Sequence, residues 1–265
     1  MKDVTICVTS CGEIAESKCL ESIESFLDQG VVLQRVTNVF PQIKALNQML
    51  QQCNTQWLIC LDADIILNNI AFRRIEIAIA EDGVNPKVHS ILFSLWDTLT
   101  EKNILALKVL RMSIMKQFPF IESATPDVEH FKRLTDAGYI CVDRHLSEGV
   151  IGNHVIQGPR FCYNKYRDVY QTLRSHGFEW DSGAFMGGET IVEKSRKHFD
   201  FFFYKLMLTD NKDYLYCIAG MIDGLTAPIE HKSKSLEKKK FRIKSKNAID
   251  EYFLWYQKQQ SHSFF

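Results

Sequence analysis

The segment Trp57-Leu58-Ile59-Cys60-Leu61-Asp62-Ala63-Asp64 decides the fold. Its first five residues form the continuous apolar run of a strand buried on both faces, and acidic residues follow at once. In an open parallel sheet, ligands bind beyond the carboxyl ends of the strands. Carboxylates at such an end can bind Mg²⁺ or Mn²⁺ while diphosphate oxygens complete the coordination shell. Alternatively, Asp62 and Asp64 only cap the next helix or decorate a turn.

The flanking segments extend this strand into an alternating pattern of strands and helices. Upstream, the sequence predicts strands at 4–8 and 31–36, with a helix between them and another helix at 44–52. Downstream, it predicts a helix at 70–81, a hairpin of strands 90–96 and 104–111, a helix at 127–137 and a strand at 139–143. Helices at 163–174, 189–208 and 214–224 follow. The alternation predicts an α/β fold with a mixed, mostly parallel sheet and helices on both faces.

The composition is that of an ordinary globular protein and excludes several function classes. Among 265 residues, 32 Lys and Arg balance 32 Asp and Glu, which argues against a bulk nucleic-acid binder. The eight cysteines form no Cys-x-x-Cys pattern, so we expect reduced thiols in a cytoplasmic protein. Because no apolar run has the length of a signal peptide or membrane span, we expect a soluble or peripheral protein.

Two stretches carry a resemblance to a known family. The run Pro41-Gln42-Ile43-Lys44-Ala45-Leu46-Asn47-Gln48-Met49-Leu50, followed by Thr55 to Asp64, resembles the nucleotide-sugar half of family 2 glycosyltransferases, which have the Rossmann-like GT-A fold. The resemblance implies that the Asp-x-Asp motif holds a metal ion and the donor diphosphate. The donor-binding residues it implies are Thr9, Ser10, Cys11, Glu13, Lys44, Asn47, Asp62, Ala63 and Asp64. The first loop, Ser-Cys-Gly-Glu, departs from the commoner Pro-Thr-Tyr-Asn form.

A second block, 126–139, resembles the family's Glu-Asp…Arg-Leu…Gly-Tyr helix. By position, Asp127 matches the carboxylate that serves as catalytic base, and Glu129 is the substitute base. Pro126 stands where Glu is usual, so Asp127 lacks its common acidic neighbour. An inverting transfer needs such a carboxylate to accept the proton of the acceptor hydroxyl. Asp127 equally suits the first turn of a helix, where acidic side chains stabilise the helix dipole.

A histidine downstream of that helix often completes the family's metal site, and imidazole is a reasonable ligand for Mn²⁺. We expect His154, in a Gly-Asn-His loop, to take this role, with His231 as the alternative. Lys108 and Arg111, on the second hairpin strand, either face the donor or acceptor or are surface charges. Tyr163, Tyr166 and Tyr170 lie at helical spacing and favour core or interface packing over sugar stacking.

The sequence suggests a GT-A domain at 1–230, with a donor-binding half at 1–110 and an acceptor-binding half at 111–230. A helical C-terminal extension is expected at 231–265; it carries eight basic residues between Lys232 and Lys246, beside several aromatic residues. This charge is either a solvated face or a contact with an anionic surface such as the inner face of a membrane. The aromatic residues suit that contact or a homo-oligomer interface.

Together these features predict a metal-dependent, inverting glycosyltransferase. The expected cofactor is Mn²⁺ or Mg²⁺, and the expected donor is a UDP-, GDP- or other nucleotide-sugar. The acceptor is a saccharide or lipid-linked saccharide, as in surface polysaccharide or glycolipid synthesis. The alternatives are a non-catalytic GT-A-like binding protein and a sugar nucleotidyltransferase, although the Gly-rich, Arg-containing first loop of the latter is missing. A nicotinamide enzyme and a P-loop enzyme are disfavoured because their glycine motifs are missing.

Overall fold

The computed structural model describes residues 3–123, 126–144, 149–155, 158–175, 191–209 and 211–226. The chain divides into two compact units, and the division falls between residues 157 and 158. The predicted start of a C-terminal extension, at 231, lies outside the described residues.

The first unit is built on one mixed sheet in the order β2-β1-β3-β6-β5-β8-β4, with β7 also paired to β5. Among the described strands, four of the seven pairings are parallel. The strands are β1 (Val4–Ser10), β2 (Val32–Thr37), β3 (Trp57–Asp62), β4 (Ile65–Leu67), β5 (Val88–Asp97), β6 (Lys102–Arg111), β7 (Ile140–Asp143) and β8 (Val150–His154). The predicted hairpin is confirmed as the antiparallel pair of β5 and β6.

Helices cover both faces of this sheet, as the alternating pattern predicted. They are α1 (Glu16–Ser22), α2 (Glu24–Asp28), α3 (Gln42–Gln52), α4 (Ala71–Asp82), α5 (Met112–Met115) and α6 (Pro126–Asp136). On one face Ile6 and Val8 of β1 pack in a core with α1, α2 and α4. On the other face Cys7 packs in a second core with α3, α5 and α6. The predicted α/β fold with a mixed, mostly parallel sheet and helices on both faces is therefore confirmed.

The structure corrects the interpretation of the segment around His154. This residue ends strand β8 rather than lying in a loop, because Gly152 lets β8 run close beside β4. A Cβ atom at Gly152 would lie 2.7 Å from the carbonyl oxygen of Ile66. The glycine that indicated a turn in the sequence is thus required by the close approach of two strands.

The second unit is helical, as predicted, with α7 (Pro159–Ser175), α8 (Ile191–Thr209) and α9 (Lys212–Thr226). Tyr163, Tyr166 and Tyr170 are buried, which confirms their packing role, and the Tyr163 hydroxyl donates to Asp223 at 2.5 Å. Helices α7 and α9 pack closely, since a Cβ atom at Gly220 would lie 2.2 Å from the Tyr163 carbonyl oxygen. Across the described part of the chain, no helix combines the length and apolar character of a membrane span.

Candidate active site

The candidate site lies at one edge of the sheet, where several strands end. Strands β1 and β3 run parallel, and Thr9 pairs with Asp62 in their register. Strand β5 ends at Asp97, which pairs with His154 at the end of the parallel strand β8. On the other side of β8 lies the antiparallel strand β4, where His154 pairs with Ile65, the residue that follows Asp64. The register alone therefore brings acidic side chains and a histidine to the carboxyl edge of the sheet, where ligands bind in such folds.

Asp62 is the exposed carboxylate of the Asp-x-Asp motif. Its Oδ1 atom accepts a hydrogen bond from the Thr9 hydroxyl at 2.5 Å, so these two residues lie together. Surrounding protein atoms reduce the solvation of Asp62 and raise the pKa of its carboxyl, and the negative charge of Asp64 raises it further. The hydrogen bond from Thr9 and the charge of Lys108 act in the opposite direction. A cation bound here would relieve the repulsion between the two aspartates.

Asp64 is buried, with only 5% of its surface exposed, and it contacts His154. The Oδ2 atom lies 3.1 Å from the His154 Nε2 atom, whereas Oδ1 is buried without a hydrogen-bond partner among the described residues. A buried carboxylate oxygen left without a partner costs about 1–3 kcal/mol or more. Such an atom is the kind of group that a bound cation would satisfy.

The side chains at this edge of the sheet are of the types that bind metal ions. They are not, however, arranged around a common coordination point. Among the described residues, no group of three or more His, Cys, Asp or Glu side chains is arranged to hold a metal ion. The exposed Asp62, the unpartnered Oδ1 atom of Asp64 and the Nε2 atom of His154 nevertheless supply hard oxygen and imidazole ligands at one sheet edge.

Asp127 lies in the first turn of α6 and forms an ion pair with Lys108 of β6. Lys108 is opposite Cys60 in the sheet register, so it sits beside the strand that ends at Asp62. Burial by itself would lower the pKa of Lys108, but Asp127 raises it more, by its charge and by its hydrogen bond. The Asp127 side chain remains 40% exposed and therefore accessible to a small ligand.

Glu129, the alternative base, is held within the same helix. Its Oε1 atom accepts a hydrogen bond from the Arg133 Nε atom at 2.6 Å, and Arg133 also donates to the Pro119 carbonyl at 2.7 Å. The Oε2 atom of Glu129 is buried without a hydrogen-bond partner within the described residues. This geometry makes Glu129 a less accessible proton acceptor than Asp127.

The first loop is organised by contacts of its own. The Ser10 hydroxyl donates to Glu16 at 2.7 Å, and Arg35 forms an ion pair with the same carboxylate. The backbone N–H of Cys11 donates to Glu13 at 2.6 Å. In the sequence Glu16 and Arg35 look like ordinary surface charges, and only the fold brings α1 and β2 close enough for them to pair.

Helix α3 carries Lys44 and Asn47, two of the predicted donor-binding residues. Lys44 is exposed in the first turn of the helix. The Asn47 side chain instead accepts from the Phe120 N–H and donates to the Phe120 carbonyl, each at 2.9 Å. Both atoms of the Asn47 amide thus fix the loop before α6, so the observed contacts of Asn47 are structural. Ala63, between the two aspartates, is buried.

Arg111 is neither a surface charge nor a ligand of the donor phosphates. Its guanidinium donates to the carbonyl oxygens of Val88, Gly83 and Asn85, at distances of 2.7–2.9 Å, and lies 4.5 Å from the centre of the Trp57 ring. The side chain is buried, and its hydrogen bonds connect the turn before β5 to strand β6. The alternative ligand His231 and the basic segment 232–246 lie outside the described residues.

Comparisons with known proteins yield matches among solved structures. No protein-family model matches the chain, and no curated protein matches it either. It is similar to the mannosyltransferase PcManGT from Pyrobaculum calidifontis, solved with GDP-Man and Mn²⁺, at 12% identity and a TM-score of 0.47, covering 84% of this chain and 87% of that chain. At this level of sequence identity, the similarity concerns the fold only.

Two further structures are similar over different lengths. Residues 1–349 of S. aureus TarS match at 13% identity and a TM-score of 0.41, covering 85% of this chain and 81% of that chain. A glycosyltransferase involved in the glycosylation of the major capsid of PBCV-1 matches at 14% identity and a TM-score of 0.42. That alignment covers 57% of this chain and 94% of the other.

Proposed function

We propose that the protein is a metal-dependent glycosyltransferase that moves a sugar from a nucleoside diphosphate to a hydroxyl acceptor with inversion. One observation carries this proposal. At the carboxyl edge of the sheet, the buried Asp64 presents an unpartnered oxygen and contacts His154, while the neighbouring Asp62 is exposed beside Thr9. Such a set of oxygen and imidazole groups suits a divalent cation with a diphosphate.

Asp62, Asp64 and His154 would hold the metal ion. When bound, the ion supplies positive charge against the diphosphate leaving group. Thr9 keeps the Asp62 carboxylate in place through its 2.5 Å hydrogen bond. Ser10, Cys11 and Glu13, at the end of β1, lie at the same edge of the sheet and would contact the nucleoside.

Asp127 would act as the general base. Both carboxylates are ion-paired, but the Asp127 side chain is 40% exposed and that of Glu129 only 24%. The acceptor hydroxyl oxygen attacks the anomeric carbon and forms the new glycosidic bond. The bond from that carbon to the leaving phosphate oxygen breaks, and its electron pair leaves with the nucleoside diphosphate. The hydroxyl proton moves to Asp127, and inversion follows from a single displacement.

Lys108 would tune this base. In the structure its ammonium group faces Asp127, and Asp62 also lies within electrostatic reach of it. A bound diphosphate would compete with Asp127 for the ammonium group. We therefore propose that donor binding draws the Lys108 ammonium group toward the phosphates. The Asp127 carboxylate, released from its ion pair, can then accept the proton of the acceptor hydroxyl.

A panel of nucleotide-sugars tests the proposal, with release of nucleoside diphosphate as the readout in the presence of Mn²⁺ and candidate saccharide acceptors. Asp127→Asn should lower the turnover number by about 10²–10⁴-fold, the usual contribution of a general base. Asp136→Asn is the matched control, because Asp136 lies at the other end of α6 in an exposed pair with Lys132. Equal turnover by Asp127→Asn and the wild type would contradict the assignment.

A further inference from the structure

Asp97 is a buried carboxylate at the candidate site that the sequence did not single out. It ends β5, and only 5% of its surface is exposed. Its Oδ1 atom lies 3.1 Å from the His154 Nδ1 atom, while the Nε2 atom of the same ring lies 3.1 Å from Asp64. The imidazole ring is therefore held between two buried carboxylates, one on each side.

The Asp97 carboxylate is itself fixed by the turn that follows it. Its Oδ1 atom accepts from the Leu99 N–H at 3.2 Å, and its Oδ2 atom accepts from the Thr100 hydroxyl at 2.5 Å. Both oxygens are thus bound within the turn and by His154, which leaves Asp97 poorly placed to be a metal ligand. It is well placed to hold the ring.

The Asp97–His154 contact is not needed to join the two strands. Strands β5 and β8 are already paired in parallel, and the Thr98 N–H donates to the His154 carbonyl at 2.9 Å. The carboxylate is therefore not required for the pairing of β5 with β8, and besides its bonds within the turn it acts on the imidazole ring. An apolar residue would suffice if the position served packing alone.

We propose that Asp97 is a positioning residue that accepts the Nδ1–H of His154 and so directs the Nε2 atom toward Asp64 and its metal ion. Histidine ligands of metals commonly donate their second N–H to a carboxylate, which fixes the tautomer and the orientation of the ring. The inference rests on the proposed function, because it assigns Asp97 a role only if Asp64 and His154 bind a metal.

Mn²⁺ binding to the full chain tests this role, with free Mn²⁺ measured by electron paramagnetic resonance. Loss of such an outer carboxylate usually weakens metal binding 10–100-fold. We expect Asp97→Ala to raise the Mn²⁺ dissociation constant by about that factor, and Asp97→Asn to raise it less, because the amide keeps an acceptor oxygen. Asp223→Asn is the matched control, since Asp223 is an equally buried carboxylate in the helical unit.

Nitrogen-15 spectra of the His154 ring provide a second readout that a purely structural role would not move. In the metal-free wild type, the neutral ring should carry its proton on Nδ1, and in Asp97→Ala this preference should be lost while the circular dichroism spectrum stays native. Unchanged Mn²⁺ affinity in a folded Asp97→Ala variant would overturn the inference alone. A wild-type protein that binds no Mn²⁺ would overturn both the inference and the metal site it rests on.

Discussion

His89 and His130 make the first unit sensitive to acid, and the effect reaches the proposed base. Both side chains are fully buried, His89 on β5 and His130 on α6, where the His130 ring packs 4.0 Å from that of Phe120. Burial lowers the pKa of each from 6.5 to about 4, and for His89 the proximity of His130 contributes to this. His130 and the proposed base Asp127 lie on the same helix, so a loss of stability at His130 affects the element that carries the base.

The size and sign of the effect follow from proton linkage. Between pH 6.5 and 4 the unfolded chain binds a proton at each histidine while the folded chain does not, so the stability falls as the pH falls. The full stabilisation is present above pH 6.5, and the loss ends near pH 4. Each histidine contributes about 1.4 kcal/mol per pH unit in this window, or about 3.4 kcal/mol across all of it, so the two together contribute about 7 kcal/mol. For a domain stable by 5–15 kcal/mol, losing both contributions is a large effect.

Urea unfolding of the wild type and His130→Leu, measured at intervals from pH 7.5 to 4.5, isolates this contribution. Acidic groups titrate alike in both proteins, so the difference in slope belongs to the histidine pair. We expect His130→Leu to lose about half of the part of the pH dependence that the two histidines cause, and the double variant with His89→Leu to lose nearly all of that part. Identical slopes for all three proteins would refute the reasoning.

Other substitutions test single contacts. Arg111→Lys should destabilise the first unit by about 2–4 kcal/mol in urea, because an ammonium group cannot serve three buried carbonyls at once; a loss below 0.5 kcal/mol would argue against the structural role. Gly220→Ala should destabilise the helical unit by about 1–3 kcal/mol, since the new methyl group meets the Tyr163 carbonyl, and an unchanged melting temperature would contradict that packing. Lys108→Ala should raise the Michaelis constant for the donor more than Asp136→Asn does, and an unaltered constant would remove Lys108 from donor binding.

The sheet and its helices were predictable because their signals are local. The apolar run at 57–61 and the alternating segments around it specify buried strands without reference to the rest of the chain. The pairing of Thr9 with Asp62 was not predicted, because it depends on the register between β1 and β3. Strands β4 and β8 were not predicted. Strand β4 has only three residues, too few to show a periodic pattern. Strand β8 contains Gly152, which indicates a turn unless one knows that β4 lies against it.

The residues that complete the site depend on register and could not be predicted in the same way. Asp97 lies 57 residues from His154, and only the parallel pairing of β5 with β8 brings them together. Asn47 shows the opposite case. It matched a family pattern, yet its amide is bound to the backbone of Phe120, a contact that forms only when the chain folds back over α3.

Nucleoside diphosphate binding, followed as thermal stabilisation with and without Mn²⁺, tests the central claim most directly. A ligand at about 100 times its dissociation constant stabilises by about 2.7 kcal/mol, which for a domain of this size raises the melting temperature by about 5–10 °C. We predict this increase with UDP or GDP only when Mn²⁺ is present, its loss in Asp64→Ala, and its retention in Asp136→Asn. Equal stabilisation of the wild type and Asp64→Ala, or stabilisation without a divalent cation, would contradict the account.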